Sequence, residues 1–249
     1  MQLPTYEAAL DRTGLSPGWR VLDVGCGAGA FLRLIADGGA RPHGLDASEA
    51  LVAFARERLP EADVRVGDME DLPWENDTFD LVTGFNSFFF ANDMVAALRE
   101  AARVAKPAAH VVIQVWGPHE QCDLEAMKQV ARPFLPPRPA DTPPDPDLSQ
   151  PGLLRRFALQ AGLTPEIEFD ATWAFEYPDA ETLGRAMLAV AGLAVVAGPA
   201  REEELAQAIV DGLAPYRQAD GSFRLSNAYH YLIARAYARS RPVARTART

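Results

Sequence analysis

The sequence predicts an α/β protein in which a mostly parallel sheet is covered by helices on both faces. Short apolar runs alternate with helix-like stretches from residue 20 to about residue 117, which is the pattern of successive strand-helix units. A cluster of glycines separates the first apolar run from the first helix-like stretch. The 249 residues are 48% hydrophobic and 23% charged, the composition of an ordinary globular protein.

The elements of the N-terminal half follow in order along the chain. The predicted strands cover residues 21–24, 42–45, 64–66, 79–85 and 110–116, and the last of these, HVVIQVW, has the clearest pattern. The predicted helices cover residues 30–36, a stretch that begins after Ser48 as N-cap and ends at Leu59, and residues 93–104, which Pro107 follows. Because crossovers between parallel strands are right-handed, the carboxyl ends of these strands meet at one edge of the sheet.

The pattern changes after Gly117. Eight prolines lie between Pro133 and Pro151, which predicts a loop or lid there rather than a core element. Residues 118–150 together are interpreted as an insert that forms the lid and a wall of the substrate site. Residues 151–236 are expected to complete the sheet, with helices at 153–161 and 201–213, a third helix capped by Asp179, and strands at 166–173 and 223–234. We predict one domain over residues 1–249, with a basic tail at 237–249.

Charge and cysteine content limit the partners and the compartment. The net charge of −10 disfavours nucleic acid and anionic membrane surfaces as main partners. The most apolar segment, 186–200, is shorter than a membrane span and is interpreted as a buried helix. Two cysteines, no signal-peptide pattern and no His/Cys cluster predict a cytoplasmic protein without a disulfide framework or a metal site.

The stretch VLDVGCGAGAF, residues 21–31, predicts a nucleoside-bearing cofactor. Gly25, Gly27 and Gly29 lie in the turn between the first strand and the first helix, where a ligand can approach the backbone and the helix start offers N–H groups. Asp46 follows Gly25 by 21 positions, at the end of the second strand, and its carboxylate can accept hydrogen bonds from ribose hydroxyls. The glycine spacing alone leaves a dinucleotide and other nucleoside cofactors open.

Three further features help to separate these cofactors. Asp23 lies inside the first strand next to the glycines, which is unfavourable for a pyrophosphate and favourable for a zwitterion with an ammonium group. In the segment GDMEDLPW, residues 67–74, Asp68 could accept from an adenine amino group and the Met69 backbone could bond the ring. The fourth strand ends in Gly-Phe-Asn86, where polar groups could reach the reacting centre.

With these residues the chain resembles class I S-adenosylmethionine-dependent methyltransferases, in particular the small-molecule group akin to ubiquinone and menaquinone C-methyltransferases. The matching segments are VLDVGCGAG (21–29), HGLDAS (43–48), VRVGDMEDLPWENDTFDLV (64–82), LREAARVAKPAAHVVIQVWG (98–117) and FRLSNAYHYLIARA (223–236). The resemblance covers residues 15–117 well and the rest loosely. One departure is Pro-Ala-Ala at 107–109, where the family often has Pro-Gly-Gly.

The resemblance implies a Rossmann-like sheet of seven strands, the last antiparallel and inserted beside the fifth, and S-adenosylmethionine as cofactor. It places the cofactor half at residues 15–117. Asp23 would lie near the ammonium group, Asp46 would hold the ribose, Ala47 would pack on adenine, and Asp68 and Met69 would read adenine. The remaining cofactor residues implied are Gly25, Cys26, Gly27 and Gly29 around the methionine and ribose, Asn86 by the methionine moiety, and Tyr6 closing the site from an N-terminal helix.

The reaction implied is an in-line displacement in which a small-molecule acceptor attacks the methyl carbon. Phe89, Phe90 and Trp116 are predicted to face a partly apolar acceptor, and His119 is a weak candidate for a general base. Whether oxygen, nitrogen or carbon is methylated stays open, as does the oligomeric state. Two other functions stay open as well: an NAD(P)-dependent oxidoreductase, and a non-catalytic protein that keeps the cofactor pocket.

Overall fold

A computed structural model describes residues 3–136, 146–189, 198 and 200–237. The described residues form two compact units. We call residues 3–115, 151–169 and 231–237 the major unit, and residues 116–136, 146–150, 170–189, 198 and 200–230 the minor unit. The single-domain prediction and its internal boundaries stay a prediction.

Seven strands form one sheet, which confirms the predicted fold class. In chain order they are β1 (Arg20–Val24), β2 (Arg41–Asp46), β3 (Asp63–Val66), β4 (Phe79–Phe85), β5 (Ala105–Trp116), β6 (Leu163–Tyr177) and β7 (Phe223–Ala236). The order across the sheet is β3-β2-β1-β4-β5-β7-β6, so the last strand lies beside the fifth, as the resemblance implied. The pairs β2–β3, β1–β2, β1–β4 and β4–β5 are parallel.

The strands at the centre of the sheet read as apolar runs because both of their faces are covered. Residues 21–24 of β1 are all buried, and β4 is buried except at Asp80. The predicted strand bounds agree with the structure to within one residue in β1, β2, β3 and β4. The predicted lengths of β5 and β6 are too short, because these strands begin five and three residues earlier than predicted.

Eight helices are described. They are α1 (Leu3–Thr13), α2 (Ala30–Asp37), α3 (Glu49–Arg58), α4 (Met94–Val104), α5 (Leu124–Ala131), α6 (Leu153–Gln160), α7 (Ala180–Ala189) and α8 (Glu202–Gly212). The predicted caps are present: Ser48 Oγ accepts from the Leu51 amide at 3.4 Å, and Asp179 Oδ1 accepts from the Thr182 amide at 2.7 Å. Asp93 caps α4 in the same way.

The lid role of residues 118–150 stays a prediction, and the first part of this segment contains a helix that was not predicted. Helix α5 lies in this segment, and Leu124, Met127 and Ala131 bury one of its faces. Within the minor unit α5 packs against α8 so closely that a Cβ on Gly212 would lie 2.4 Å from Val130 Cγ2. Residues 137–145 lie outside the described residues, as do most of the apolar segment 186–200 and almost all of the basic tail.

Candidate functional site

The glycine turn between β1 and α2 has a backbone that requires glycine. Gly25, Gly27 and Gly29 have φ angles of 77°, 52° and 81°, in the left-handed region that other residues rarely adopt. A Cβ on Gly25 would lie 2.3 Å from the Cβ of Ser87, so packing alone also requires glycine there. A Cβ on Gly27 would meet nothing within 4 Å. The turn is therefore packed on one side and leaves open space at Gly27.

The amide groups of this turn are occupied within the protein. The Gly25 and Cys26 amides donate to the Leu45 carbonyl at 2.7 and 3.0 Å. The Gly27 amide donates to Asp46 Oδ2 at 2.8 Å, and the Gly29 amide donates to the Cys26 carbonyl at 3.0 Å. A pyrophosphate in a dinucleotide site is bound through free amides of the turn and the helix start. In this turn four of those amides already have acceptors.

Asp46 joins the end of β2 to the glycine turn. Its Oδ2 accepts from the Gly27 amide, and its Oδ1 accepts from the Ser48 amide at 2.9 Å. Each carboxylate oxygen has two lone pairs, so Asp46 can still accept hydrogen bonds from a diol. Its half-buried side chain is thus fixed in orientation by the backbone on both sides. Ala47, the predicted contact to adenine, follows it and is exposed.

Asp23 is a buried carboxylate in the same part of the major unit. It is 4% exposed, and Thr83 of β4 donates from Oγ1 to Asp23 Oδ1 at 2.8 Å. Burial raises the pKa of Asp23 to about 7, and the charge of Asp46 adds to this increase, while the Thr83 hydrogen bond opposes it. A buried carboxylate with this pKa is stabilised in its charged form by any cation that reaches it.

An aromatic cluster connects α1 to α2 and β4. The Tyr6 ring lies edge-on to Phe31 and Phe85, with centroid distances of 5.3 and 4.7 Å. Burial raises the pKa of the Tyr6 phenol, and the charge of Asp23 raises it further, so the phenol is neutral. Tyr6 therefore lies on an N-terminal helix and within electrostatic reach of Asp23, and its role in closing the site stays a prediction.

The carboxyl end of β4 carries a strained asparagine. Asn86 has a φ of 51°, and its amide donates to the Gln114 carbonyl of β5 at 2.9 Å. The side-chain oxygens Asn86 Oδ1 and Gln114 Oε1 are buried and have no hydrogen-bond donor among the residues that the structure describes. Buried acceptors are normally paired, and Asn86 Oδ1 is thus a candidate to accept from a ligand. Sequence reasoning missed Gln114, although a glutamine inside the apolar run HVVIQVW was a visible signal.

The predicted adenine-reading segment begins beside Asp46. The Gly67 amide donates to the Asp46 carbonyl at 3.1 Å. Asp68 is exposed, and its Oδ1 accepts from the Glu70 amide at 2.9 Å, which leaves its other oxygen for a further donor. Met69 is half-buried. The structure therefore brings the glycine turn, Asp46 and the start of residues 67–74 together within the major unit.

The four predicted substrate-facing residues fall into two groups. Phe89 and Phe90 follow β4 in the major unit with ring centroids 4.5 Å apart, and Phe90 is 72% exposed. Trp116 and His119 belong to the minor unit, where Trp116 stacks on Tyr229 and His119 is exposed. Their roles toward an acceptor stay predictions.

The thiol of Cys26 and the side-chain types that ligate metals are the remaining candidates for chemistry at the site. Burial raises the pKa of the Cys26 thiol, and the charges of Asp23 and Asp46 raise it further, so this cysteine is not an activated nucleophile. Across residues 3–136, 146–189, 198 and 200–237, no three His, Cys, Asp or Glu side chains are grouped to hold a metal ion. Over the same residues, no helix has the length and apolar character that crossing a membrane requires.

Comparison with known proteins confirms the family resemblance for the N-terminal half. Residues 22–113 match a family model described as a methyltransferase domain. A demethylmenaquinone methyltransferase from Renibacterium salmoninarum is 36% identical over 104 residues, which make up 42% of this chain and 44% of that protein. A ubiquinone biosynthesis O-methyltransferase from Hahella chejuensis is 37% identical over 105 residues, 40% of this chain and 44% of that protein. The chain thus spans less than half the length of these curated relatives.

Solved structures show the same fold over almost the whole chain. The cyclase SpnF has a TM-score of 0.63 and 22% identity, and the match covers 95% of this chain and 82% of that one. A geranyl diphosphate methyltransferase in complex with S-adenosylmethionine has a TM-score of 0.54 and 18% identity, covering 94% and 84%. The predicted resemblance to methyltransferases is confirmed over residues 22–113, and the fold class is confirmed for the chain.

Proposed function

We propose that this chain binds S-adenosylmethionine at the glycine turn and transfers its methyl group to a small-molecule acceptor. The observation that carries the proposal is the pairing of an occupied turn with a buried acid. Four amides of the turn have internal acceptors, and Asp23 is buried beside them with a pKa raised to about 7. This arrangement favours a cofactor with a cationic group over one with a pyrophosphate.

The residues at the site fit this cofactor. The open space at Gly27 admits a ligand to the backbone, and Asp46 has lone pairs left for two ribose hydroxyls. Asn86 Oδ1 is a buried acceptor without a donor in the described part of the chain, suited to an ammonium group near Asp23. We assign Ala47, Asp68 and Met69 to adenine; Tyr6, Gly25, Cys26 and Gly29 complete the proposed cofactor set.

When bound, S-adenosylmethionine supplies a methyl group that is already activated by the sulfonium. The protein then has to bind, orient and exclude water, since positioning accounts for much of such a reaction. Asp23 holds the cationic end, and Asp46 fixes the ribose against the turn. Tyr6 is 7% exposed and packs within a ring cluster that keeps water from this side of the site. No general base is assigned, and His119 remains a weak candidate.

We propose a partly apolar acceptor. Phe90 is 72% exposed and lies beside Phe89 directly after Asn86, at the edge of the sheet where loops of parallel folds carry binding groups. Exposed aromatic rings at such an edge bind apolar or planar molecules. The names of the two curated relatives given above contain demethylmenaquinone and ubiquinone, which agrees with an acceptor of this kind.

Binding experiments separate this proposal from its alternatives. We would titrate the protein calorimetrically with S-adenosylhomocysteine, and in parallel with NADH and NADP. Binding of S-adenosylhomocysteine alone supports the proposal, whereas binding of NADH or NADP alone would establish the oxidoreductase alternative. Binding without methyl transfer to any of a panel of small phenols, amines and quinols would support a non-catalytic role. SpnF, which shares the fold, is a cyclase, so turnover has to be measured as well as binding.

Matched variants show where the ligand binds. Asp46→Asn retains one acceptor for the Gly27 amide and removes the negative charge, and Asp46→Ala removes both backbone contacts. We expect S-adenosylhomocysteine affinity to fall about tenfold or more in both, the scale of losing hydrogen bonds to a charged group. Asp37→Asn, on the exposed end of α2, is the control and should bind like the unmodified protein. Equal binding by all four proteins would contradict the assignment of Asp46.

A further inference from the structure

The segment that follows β3 is held by two side chains of α4. Residues 67–76 form no helix or strand. Arg103 donates from Nη2 to the Leu72 carbonyl at 2.8 Å and from Nη1 to the Trp74 carbonyl at 2.7 Å. Glu100 accepts from the Leu72 amide at 2.9 Å through Oε2. The backbone amide and the backbone carbonyl of Leu72 are thus both hydrogen-bonded to side chains of α4.

The two side chains are also paired with each other. Arg103 Nη2 lies 2.6 Å from Glu100 Oε2, and Arg103 Nε lies 2.7 Å from Glu100 Oε1. Each side chain is only 19% exposed, so water and salt screen the attraction between the two charges less than in a surface ion pair. A bidentate guanidinium-carboxylate pair is rigid as well as strong. We call Glu100 and Arg103 the α4 clamp.

The start of the same segment is held separately, by a contact from the N-terminus of α4 that does not involve the clamp. Glu70 Oε1 accepts from the Asp93 amide at 3.0 Å. The Glu70 amide in turn donates to Asp68 Oδ1 at 2.9 Å. The Asp68 carboxylate is therefore oriented by a chain of contacts that begins at α4.

We propose that the α4 clamp determines which base the cofactor site accepts, by fixing the segment that carries Asp68 and Met69. The inference rests on the proposed function, which assigns these two residues to adenine. An irregular segment that is ordered before binding does not lose backbone freedom when the ligand arrives. A fixed Asp68 can also reject a base that offers an acceptor where adenine offers an amino group, because two facing acceptors cannot pair. Glu100 and Arg103 are positioning residues in this proposal and do not touch the ligand.

The test compares two ligands that differ only in the base. S-adenosylhomocysteine has the adenine amino group, and S-inosylhomocysteine has a carbonyl oxygen in its place. Calorimetric titration gives the ratio of the two dissociation constants for the unmodified protein, Arg103→Lys and Glu100→Gln. Lysine keeps the charge but cannot bridge two carbonyls and a carboxylate. Arg99→Lys makes the same substitution at an exposed position of α4 and serves as control.

We expect the unmodified protein and Arg99→Lys to prefer S-adenosylhomocysteine by about tenfold or more, as one well-placed polar contact allows. In Arg103→Lys and Glu100→Gln that preference should fall to about threefold or less, mainly because S-adenosylhomocysteine binds more weakly. Amide hydrogen exchange without ligand should show faster exchange at Leu72 in both variants. A merely structural role would weaken both ligands equally, and that result would overturn the proposal.

The proposal would also be overturned by an unmodified protein that binds both ligands equally, or by variants whose Leu72 amide exchanges at the original rate. Failure of the unmodified protein to bind either ligand would refute the proposed function and this inference with it. That outcome can be distinguished from a failure of this inference alone, because the exchange measurement still reports whether the clamp orders residues 67–76.

Discussion

Replacing Thr83 by valine tests the electrostatics at the centre of the site. The hydroxyl of Thr83 donates to Asp23 Oδ1 at 2.8 Å, and both side chains are buried. Valine has nearly the same shape and lacks the donor, so the carboxylate loses a hydrogen bond without a large change in packing. Because that hydrogen bond favours the ionised form, we expect the pKa of Asp23 to rise above its present value of about 7.

The size of the effect follows from the energy of one hydrogen bond to a charged group. Such a bond contributes about 1.5–3 kcal/mol, and a shift of one pKa unit corresponds to about 1.4 kcal/mol. The pKa of Asp23 should therefore rise by about one to two units in Thr83→Val. At pH 7.5 the ionised fraction then drops from about three-quarters to between a quarter and a few per cent. If the ammonium group of the cofactor binds ionised Asp23, affinity falls about threefold to 25-fold.

The assay is calorimetric titration with S-adenosylhomocysteine from pH 6.0 to 8.5. For the unmodified protein, binding should tighten as pH rises and level off above about pH 7, because the cation favours the ionised carboxylate. In Thr83→Val the same curve should move to higher pH, and Thr83→Ser, which restores a hydroxyl, should move it back. A loss of affinity that is equal at every pH would refute the reasoning, since it would show a packing defect rather than a change in ionisation.

Three further predictions concern the unliganded protein. The pKa of Asp23 is raised from 3.8 to about 7, so the folded state binds the Asp23 proton more tightly than the unfolded state does. Urea unfolding should therefore show the free energy of unfolding falling by up to about 4 kcal/mol from pH 4 to 7, and Asp23→Asn should flatten this slope. Gly25→Ala should lower the free energy of unfolding by about 3 kcal/mol or more, because φ is positive there and the new Cβ would lie 2.3 Å from Ser87. Gly27→Ala should lower it by only about 1–2 kcal/mol, the cost of the positive φ alone. The urea midpoints of unfolding measure both effects. Cys26 should react with iodoacetamide far more slowly in the folded than in the urea-unfolded protein at pH 8, because burial raises the pKa of its thiol, as mass spectrometry would show.

Each of these predictions has a result that contradicts it. A stability that rises between pH 4 and 7, with the same slope in Asp23→Asn, would mean that Asp23 ionises freely in the folded state. Equal unfolding midpoints for the two glycine variants would show that the contact with Ser87 relaxes without loss. Rapid alkylation of Cys26 in the folded protein would place its thiol at the surface.

The sequence predicted the elements of the major unit well because parallel strands are buried on both faces and their apolar runs stand out. Helix α5, in contrast, was not predicted. Leu124, Met127 and Ala131 are spaced for one face of a helix, but the prolines from Pro133 onward indicate a loop, and residues 118–150 were interpreted together as one insert. The early start of β5 was missed for a similar reason. Its first residues, Ala105 to Ala109, include a proline and pair with β4 across an irregularity in register, which no local pattern reveals.

The partners within the site could not be predicted from the sequence, because they depend on register between strands. Asp23 and Thr83 are 60 positions apart and face each other only because β1 pairs with β4 in the register Asp23 to Thr83. The spacing from Gly25 to Asp46 predicted a ribose ligand, but the two backbone amides bound by Asp46 follow from where β2 ends beside the turn. Residue types and order indicated which acids lie at the site, and the tertiary structure determines how each is held.

The role of the glycine turn shows why this difference matters for function. The letters G-x-G-x-G are compatible with a dinucleotide or with S-adenosylmethionine, since both need a ligand near the backbone. What distinguishes the two cofactors is whether the amides of the turn already donate to acceptors within the protein, and which charges lie nearby. In this chain the Leu45 carbonyl and the Asp46 carboxylate take up the amides of Gly25, Cys26 and Gly27, and Asp23 adds a buried negative group. A pyrophosphate would meet two carboxylates there, whereas an ammonium or sulfonium group would be stabilised.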